Sequence, residues 1–253
     1  MTGMKGLHIG TMGWSYSFWM GNFYPVGLDP KGFLKEYANH FDSVEIDSSF
    51  YRVPGEKVVE NWRQETPEGF IFAAKFPGTI THEKMLVDCE EEVQFFIKRI
   101  SLLGEKLGPL LLQFPYAFKK ERYDDLKDFL SRLPKRHRYA VEVKEKKWLS
   151  DRFYRLLGDT GVALALVDHP WMPETNELTA DFTYIRWEGD RKKIKGTTGA
   201  VERDRKDDIS AWALRIEKFL RDSIEVYGYF SKYYSGHSPT DSKYMLSILD
   251  KDL

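Results

Sequence analysis

Short apolar runs rich in β-branched and aromatic residues recur along the chain, separated by longer segments of helical period. The runs are Leu7 to Met12, Ser43 to Asp47, Phe70 to Lys75, Leu110 to Phe114, Tyr139 to Val143, Val162 to Val167, Phe182 to Arg186 and Ile224 to Phe230. Helical periodicity occupies Pro30 to His40, Lys57 to Glu65, Glu90 to Leu107, Arg122 to Arg132, Asp151 to Gly158, Asp207 to Asp222 and Pro239 to Leu249. Asp29 before Pro30, Ser150 before Asp151 and Ser238 before Pro239 read as helix N-caps. Such alternation, joined by right-handed crossovers, predicts one α/β domain over residues 1–253: a (β/α)8 TIM-type barrel of parallel strands with a long loop after the seventh. An open doubly wound sheet is the second choice, because no glycine fingerprint follows the first strand.

Side chains on a strand alternate faces, so the run at Ser43 to Asp47 puts Val44 and Ile46 on one side and Ser43, Glu45 and Asp47 on the other. Reading the other strands in the same way turns Lys75, Gln113, Glu142 and Arg186 inward, each near a strand C-terminus, where barrels of this type carry their chemistry. Carboxylates there suit proton transfer, and cations suit a developing negative charge. The bland alternative is a self-satisfied ion-pair plug, which a fully paired cluster would mark.

The 253 residues hold 38 Lys and Arg against 39 Asp and Glu, which argues against a generally basic nucleic-acid surface. One cysteine, Cys89, excludes an internal disulfide, and no Cys/His set has zinc spacing. The opening MTGMKGLHIG lacks the apolar run of a signal peptide, so a cytoplasmic location away from membranes is expected.

Loops supply further candidates. Trp14, Tyr16 and Tyr24 belong to an aromatic segment after the first strand that suits stacking on a base or sugar ring, or packing as a lid. Tyr51 and Arg52 follow the acidic strand, and His82 follows the third as a candidate acid or base. His237 and Ser238 open the last helix, where an anion can meet free backbone amides. The segment Gly189 to Lys206 reads as a mobile basic lid. Asp168 and His169, with Glu45 and Glu142, are a candidate oxygen-rich metal set, although no HxH, HxxxH or comparable pair supports it; no cofactor is expected.

The ordered motifs Gly10-Thr11-Met12-Gly13-Trp14, Phe41-Asp42-Ser43-Val44-Glu45-Ile46, Phe72-Ala73-Ala74-Lys75, Ile80-Thr81-His82, Gln113-Phe114-Pro115 and Gly236-His237-Ser238-Pro239 resemble the YecE-like family, domain of unknown function 72. That resemblance implies a β/α barrel distantly like sugar isomerases and apurinic endonucleases, with no established reaction. The chain departs from the family pattern at Glu142-Val143-Lys144-Glu145, Arg186-Trp187-Glu188-Gly189 and Ser231-Lys232-Tyr233-Tyr234, losing a histidine each time. The leading expectation is a hydrolase or lyase acting on a small-molecule or nucleotide-like anionic, phosphate-bearing ligand. Glu45 or Glu142 would be its base, and Lys75 and Arg186 its anion-stabilising pair. A carbohydrate-active enzyme and a non-catalytic binding barrel are the alternatives.

Overall fold

The computed structural model describes residues 5–250; the ends of the expected domain, 1–4 and 251–253, lie outside the described residues, as do the first four residues of the opening MTGMKGLHIG. Eight parallel strands form the barrel: β1 Leu7–Thr11, β2 Ser43–Ile46, β3 Ile71–Lys75, β4 Leu107–Gln113, β5 Tyr139–Glu142, β6 Ala163–Asp168, β7 Phe182–Trp187 and β8 Glu225–Phe230. Helices α1 Phe33–Tyr37, α2 Glu56–Glu65, α3 Glu90–Ile100, α4 Tyr123–Arg132, α5 Asp151–Thr160, α6 Lys206–Arg221 and α7 Ser238–Leu249 cover it. The β6–β7 connection carries no helix, in keeping with the periodicity. Among the described residues no helix is long and apolar enough to cross a membrane.

Strand order runs β1-β8-β7-β6-β5-β4-β3-β2, and the ring closes between β1 and β2 through the Met12–Glu45 bridge. At this seam the Tyr37 phenol from α1 accepts from Thr11 N at 2.9 Å and donates to Ser43 O at 3.0 Å. Gly10 is required beside it, since a Cβ there would stand 2.0 Å from Ser43 O.

Two local expectations change. The periodic stretch Glu90 to Leu107 is not one helix: α3 ends at Ile100, and Gly104, at φ 61°, turns a short 3-10 segment into β4, which starts at Leu107 and not at Leu110. Glycine tolerates that left-handed backbone, whereas other residues there are strained. Ser238 is the first residue of α7, with His237 in the cap position, and neither side chain caps the helix. Asp29 does cap, accepting from Lys31 N at 2.8 Å.

Inside the ring, Ala73, Ala140, Ala163 and Ala165 on β3, β5 and β6 face Tyr184, Tyr227 and Tyr229 on β7 and β8. Small residues on one wall make room for long ones from the other, and this volume balance brings Arg186 across the axis. The N-terminal end is shut by His8, stacked on Tyr227 with ring centroids 4.8 Å apart and bonded to Glu225 at 3.2 Å. Arg138 pairs with the same carboxylate and donates to the Tyr227 hydroxyl at 2.9 Å.

Burial works against a charged His8, but Asp42 and Glu225 overcome it and raise its pKa to about 9. His8 therefore stabilises the fold fully below about 6.5, its unfolded value, and this contribution is lost as pH rises through about 9. The melting temperature should fall over that window, by the equivalent of about 3 kcal/mol at most, and His8→Phe should flatten the fall. A wild-type profile already flat between these pH values would refute the assignment.

Candidate active site

The C-terminal mouth is built on Arg186 of β7, which is 1% exposed. Its Nε and Nη2 donate to the two oxygens of Glu45, at 3.0 and 2.9 Å, a bidentate pair. Nη1 reaches Glu142 at 2.6 Å and also Glu188, while the remaining Nη2 proton points to Met12 Sδ at 3.3 Å. Each of the guanidinium's five donors thus has an acceptor. Tyr184 adds a 2.7 Å bond to Glu45, and Gln113 a 2.6 Å bond to Glu142.

Burial raises the Glu45 carboxyl above its usual range, with Arg186 opposing. For Glu188 burial pushes upward too, but Arg186 and Lys144 prevail and hold it below the usual carboxylate range. Arg186 is thus committed to protein carboxylates and has no donor left for an incoming anion, which corrects its expected anion-stabilising part.

Lys75 is placed differently. It ends β3 and is 7% exposed, yet its Nζ has a single ion-pair contact, 3.4 Å from Asp47, and sits 4.2 Å over the Phe50 ring. Burial, reinforced by Arg186, lowers its pKa against the pull of Asp47, Glu45 and Glu142. His82 stands nearby, its Nδ1 2.9 Å from Thr81 Oγ1. Burial, with Lys75 and Lys144 adding to it, lowers the His82 pKa to about 4, so the ring is neutral at pH 7 and serves only as an acceptor of protons there.

Above this floor the Tyr16 hydroxyl donates to Met12 O at 2.9 Å, and its ring lies 5.1 Å from Lys232 Nζ. Its phenol is pushed up by burial and then by Asp47 and Glu45, which places it over the same acids. Tyr51 and Arg52 are exposed at the rim. Arg191 stacks 5.0 Å over Tyr233 and reaches Glu188 at 3.4 Å.

Other candidates lie elsewhere. Trp14 packs edge-on against Trp62 and Phe72 in the layer between barrel and helices. Tyr24 is buried against Phe33, with its hydroxyl on Trp14 O at 2.6 Å. Neither is free to stack on a ligand. Asp168 points to the outer face, accepting from Trp212 at 3.0 Å and Tyr234 at 2.9 Å, so it cannot join Glu45 and Glu142 around a metal. His237 and Ser238 are buried below the aromatic loop; His237 Nδ1 meets Thr240 at 2.7 Å, while its Nε2 and Ser238 Oγ have no protein partner.

The loop 189–205 is not a loose lid. Glu202 accepts from the backbone amides of Lys195 and Gly196, both at 2.8 Å, so the glycine-rich turn already holds a carboxylate of its own. Glu188, the residue that sequence reading did not propose for the site, follows Tyr184 and Arg186 on the same alternating face, a signal available in the sequence.

A family model described as "Protein of unknown function DUF72" matches residues 8–253. UPF0759 protein YecE of Escherichia coli K12 is 35% identical over 144 residues, 57% of this chain, and the match spans only half of YecE. UPF0759 protein YunF of Bacillus subtilis is 26% identical over 96% of this chain and 95% of its own. Crystal structures of DUF72 proteins from Thermotoga maritima and Enterococcus faecalis superpose with TM-scores of 0.79 and 0.76 at 24% and 21% identity. They cover 97% and 96% of this chain, and 99% and 95% of their own, and show the shared fold.

Removing the Arg186 charge leaves three carboxylates buried together. Arg186→Met should therefore destabilise the protein by about 3–5 kcal/mol in urea unfolding. A loss within about 1 kcal/mol would mean that Arg186 does not hold the barrel mouth together.

Proposed function

The chain belongs to the DUF72 family, and on that footing we propose that its mouth binds a small anionic, phosphate- or carboxylate-bearing ligand and acts on it by proton-transfer chemistry of the hydrolase or lyase class. The observation that carries this reading is the unequal use of the two buried cations. Arg186 is saturated and serves as scaffold, whereas Lys75 keeps donor capacity beside Asp47 and Phe50. Lys144, Arg191 and Lys232 add positive charge around the opening, and Tyr16, Tyr51 and Tyr233 supply ring faces. A desolvated ammonium attracts an anion far more strongly than a solvated one, because little solvent screens the pair.

The carbohydrate-active reading is less favoured. A glycosidase needs one carboxyl to give a proton and another to attack or to activate water. Here both Glu45 and Glu142 are held by the same guanidinium.

Titration calorimetry with inorganic phosphate and a nucleoside monophosphate tests the proposal. Wild type should bind at least one of them, and Lys75→Gln should weaken that binding at least about tenfold, worth about 1.4 kcal/mol. Equal affinity in the variant, or no heat with either anion, would overturn it.

A further inference from the structure

Resting on that reading of the mouth, we infer that Lys75 is an amine nucleophile that forms an imine with a carbonyl group of the bound anion, the chemistry of a lyase. Geometry is the first support. Lys75 is the last residue of β3, its amine buried at the C-terminal end of the barrel, the end at which β/α barrels carry their chemistry, with the Phe50 ring beside it and one carboxylate in reach. A structural lysine at this depth would be expected to meet two or three acceptors, because an ammonium has three donors to satisfy. This one has a single long contact.

The charges facing it come from several elements, while the adjacent β4 contributes only the neutral Gln113. Asp47 and Glu45 lie on the β2 side, Glu142 on β5, Arg186 on β7, and His82 follows β3 itself. The acids are mostly spent on Arg186, so the amine sits close to a fixed positive guanidinium and away from water. Both effects favour the neutral form that attacks carbonyls.

The step balances as follows. Asp47 takes a proton from the ammonium, and the nitrogen lone pair adds to the carbonyl carbon to give a carbinolamine. Asp47 then returns its proton to the hydroxyl, which leaves as water, so that a protonated imine remains. That cation draws the electrons of a bond at the neighbouring carbon into an enamine: a C–H proton passes to Asp47, or a carboxylate leaves as carbon dioxide. Protonation of the enamine carbon by Asp47 or water restores the imine cation, and addition of water releases the product carbonyl and the Lys75 ammonium. Asp47, at 3.4 Å, is the only carboxylate in ion-pair reach of the nitrogen among the described residues.

Glyoxylate, which carries both a carbonyl and a carboxylate, is the probe, with sodium borohydride to reduce the imine to a stable secondary amine. Intact-mass measurement should show one adduct, and peptide mapping should place it on Lys75. Labelling should proceed well below the pH near 10 at which ordinary lysines react readily. Lys75→Arg and Lys75→Gln should both lose the adduct, since neither side chain carries a primary amine. Adducts scattered over surface lysines with Lys75 unmodified would overturn the inference, while leaving the anion site standing if phosphate binding still depends on Lys75. An adduct on Lys75 in a protein that binds no phosphate would sustain the amine chemistry and remove the anion reading instead. Wild-type mapping decides the matter even if either variant fails to fold.

Discussion

The Arg186 guanidinium is the group on which the upper half of the barrel depends. A charge of that size taken out of water costs several kcal/mol, and only complete pairing offsets it. Here the offset is distributed around the ring: Glu45 comes from β2, Glu142 from β5, Glu188 from the end of β7 and the Met12 sulfur from just past β1. One planar cation therefore ties together strands far apart in sequence, and fixes the rotamers of every acid it touches. The alanines on β3, β5 and β6 are the steric counterpart, since any larger side chains would fill the space that Arg186 and Tyr184 cross.

Much of this was legible in the order of apolar and polar positions. Eight strands, the helix-free β6–β7 connection and the inward set Glu45, Lys75, Gln113, Glu142 and Arg186 all follow from alternation, which is a local property. Helix ends were less legible: Gly104 interrupts a good helical pattern because the chain must turn into β4, a tertiary demand. Faces beyond strand ends were harder still. Asp168 sits on the outer face of β6, one residue out of phase with Val167, and Trp14 and Tyr24 turn into the helix layer because the first loop folds back over it. Which of two buried cations is spent is not a pattern at all; it emerges from distances among side chains of five strands.

The family model covers residues 8–253, but this member lacks histidines at three places where the family resemblance leads one to expect them. At one of those places stands Glu188, which donates nothing and instead completes the acceptors of Arg186. A histidine there would bring ring donors and a titration near neutral pH, whereas Glu188 supplies a carboxylate held below the usual range. Similarly, the backbone amides at Lys195 and Gly196 that an external anion would seek are filled by Glu202. Negative charge from the protein itself thus occupies two clusters of donors, the Arg186 guanidinium and the amides of the glycine-rich turn, whereas the Lys75 amine has one carboxylate partner.

The phenol of Tyr37 has a consequence for how the ring assembles. Because it joins β1 to β2 from the helix that connects them, the seam between those strands is closed by residues of the first βαβ unit, from Thr11 to Glu45. That junction can form early and locally, at small loop-closure cost. The long-range closure falls to β1 and β8, where Leu7 pairs with Val226, so the contact of greatest sequence separation is the one that joins the two ends of the chain.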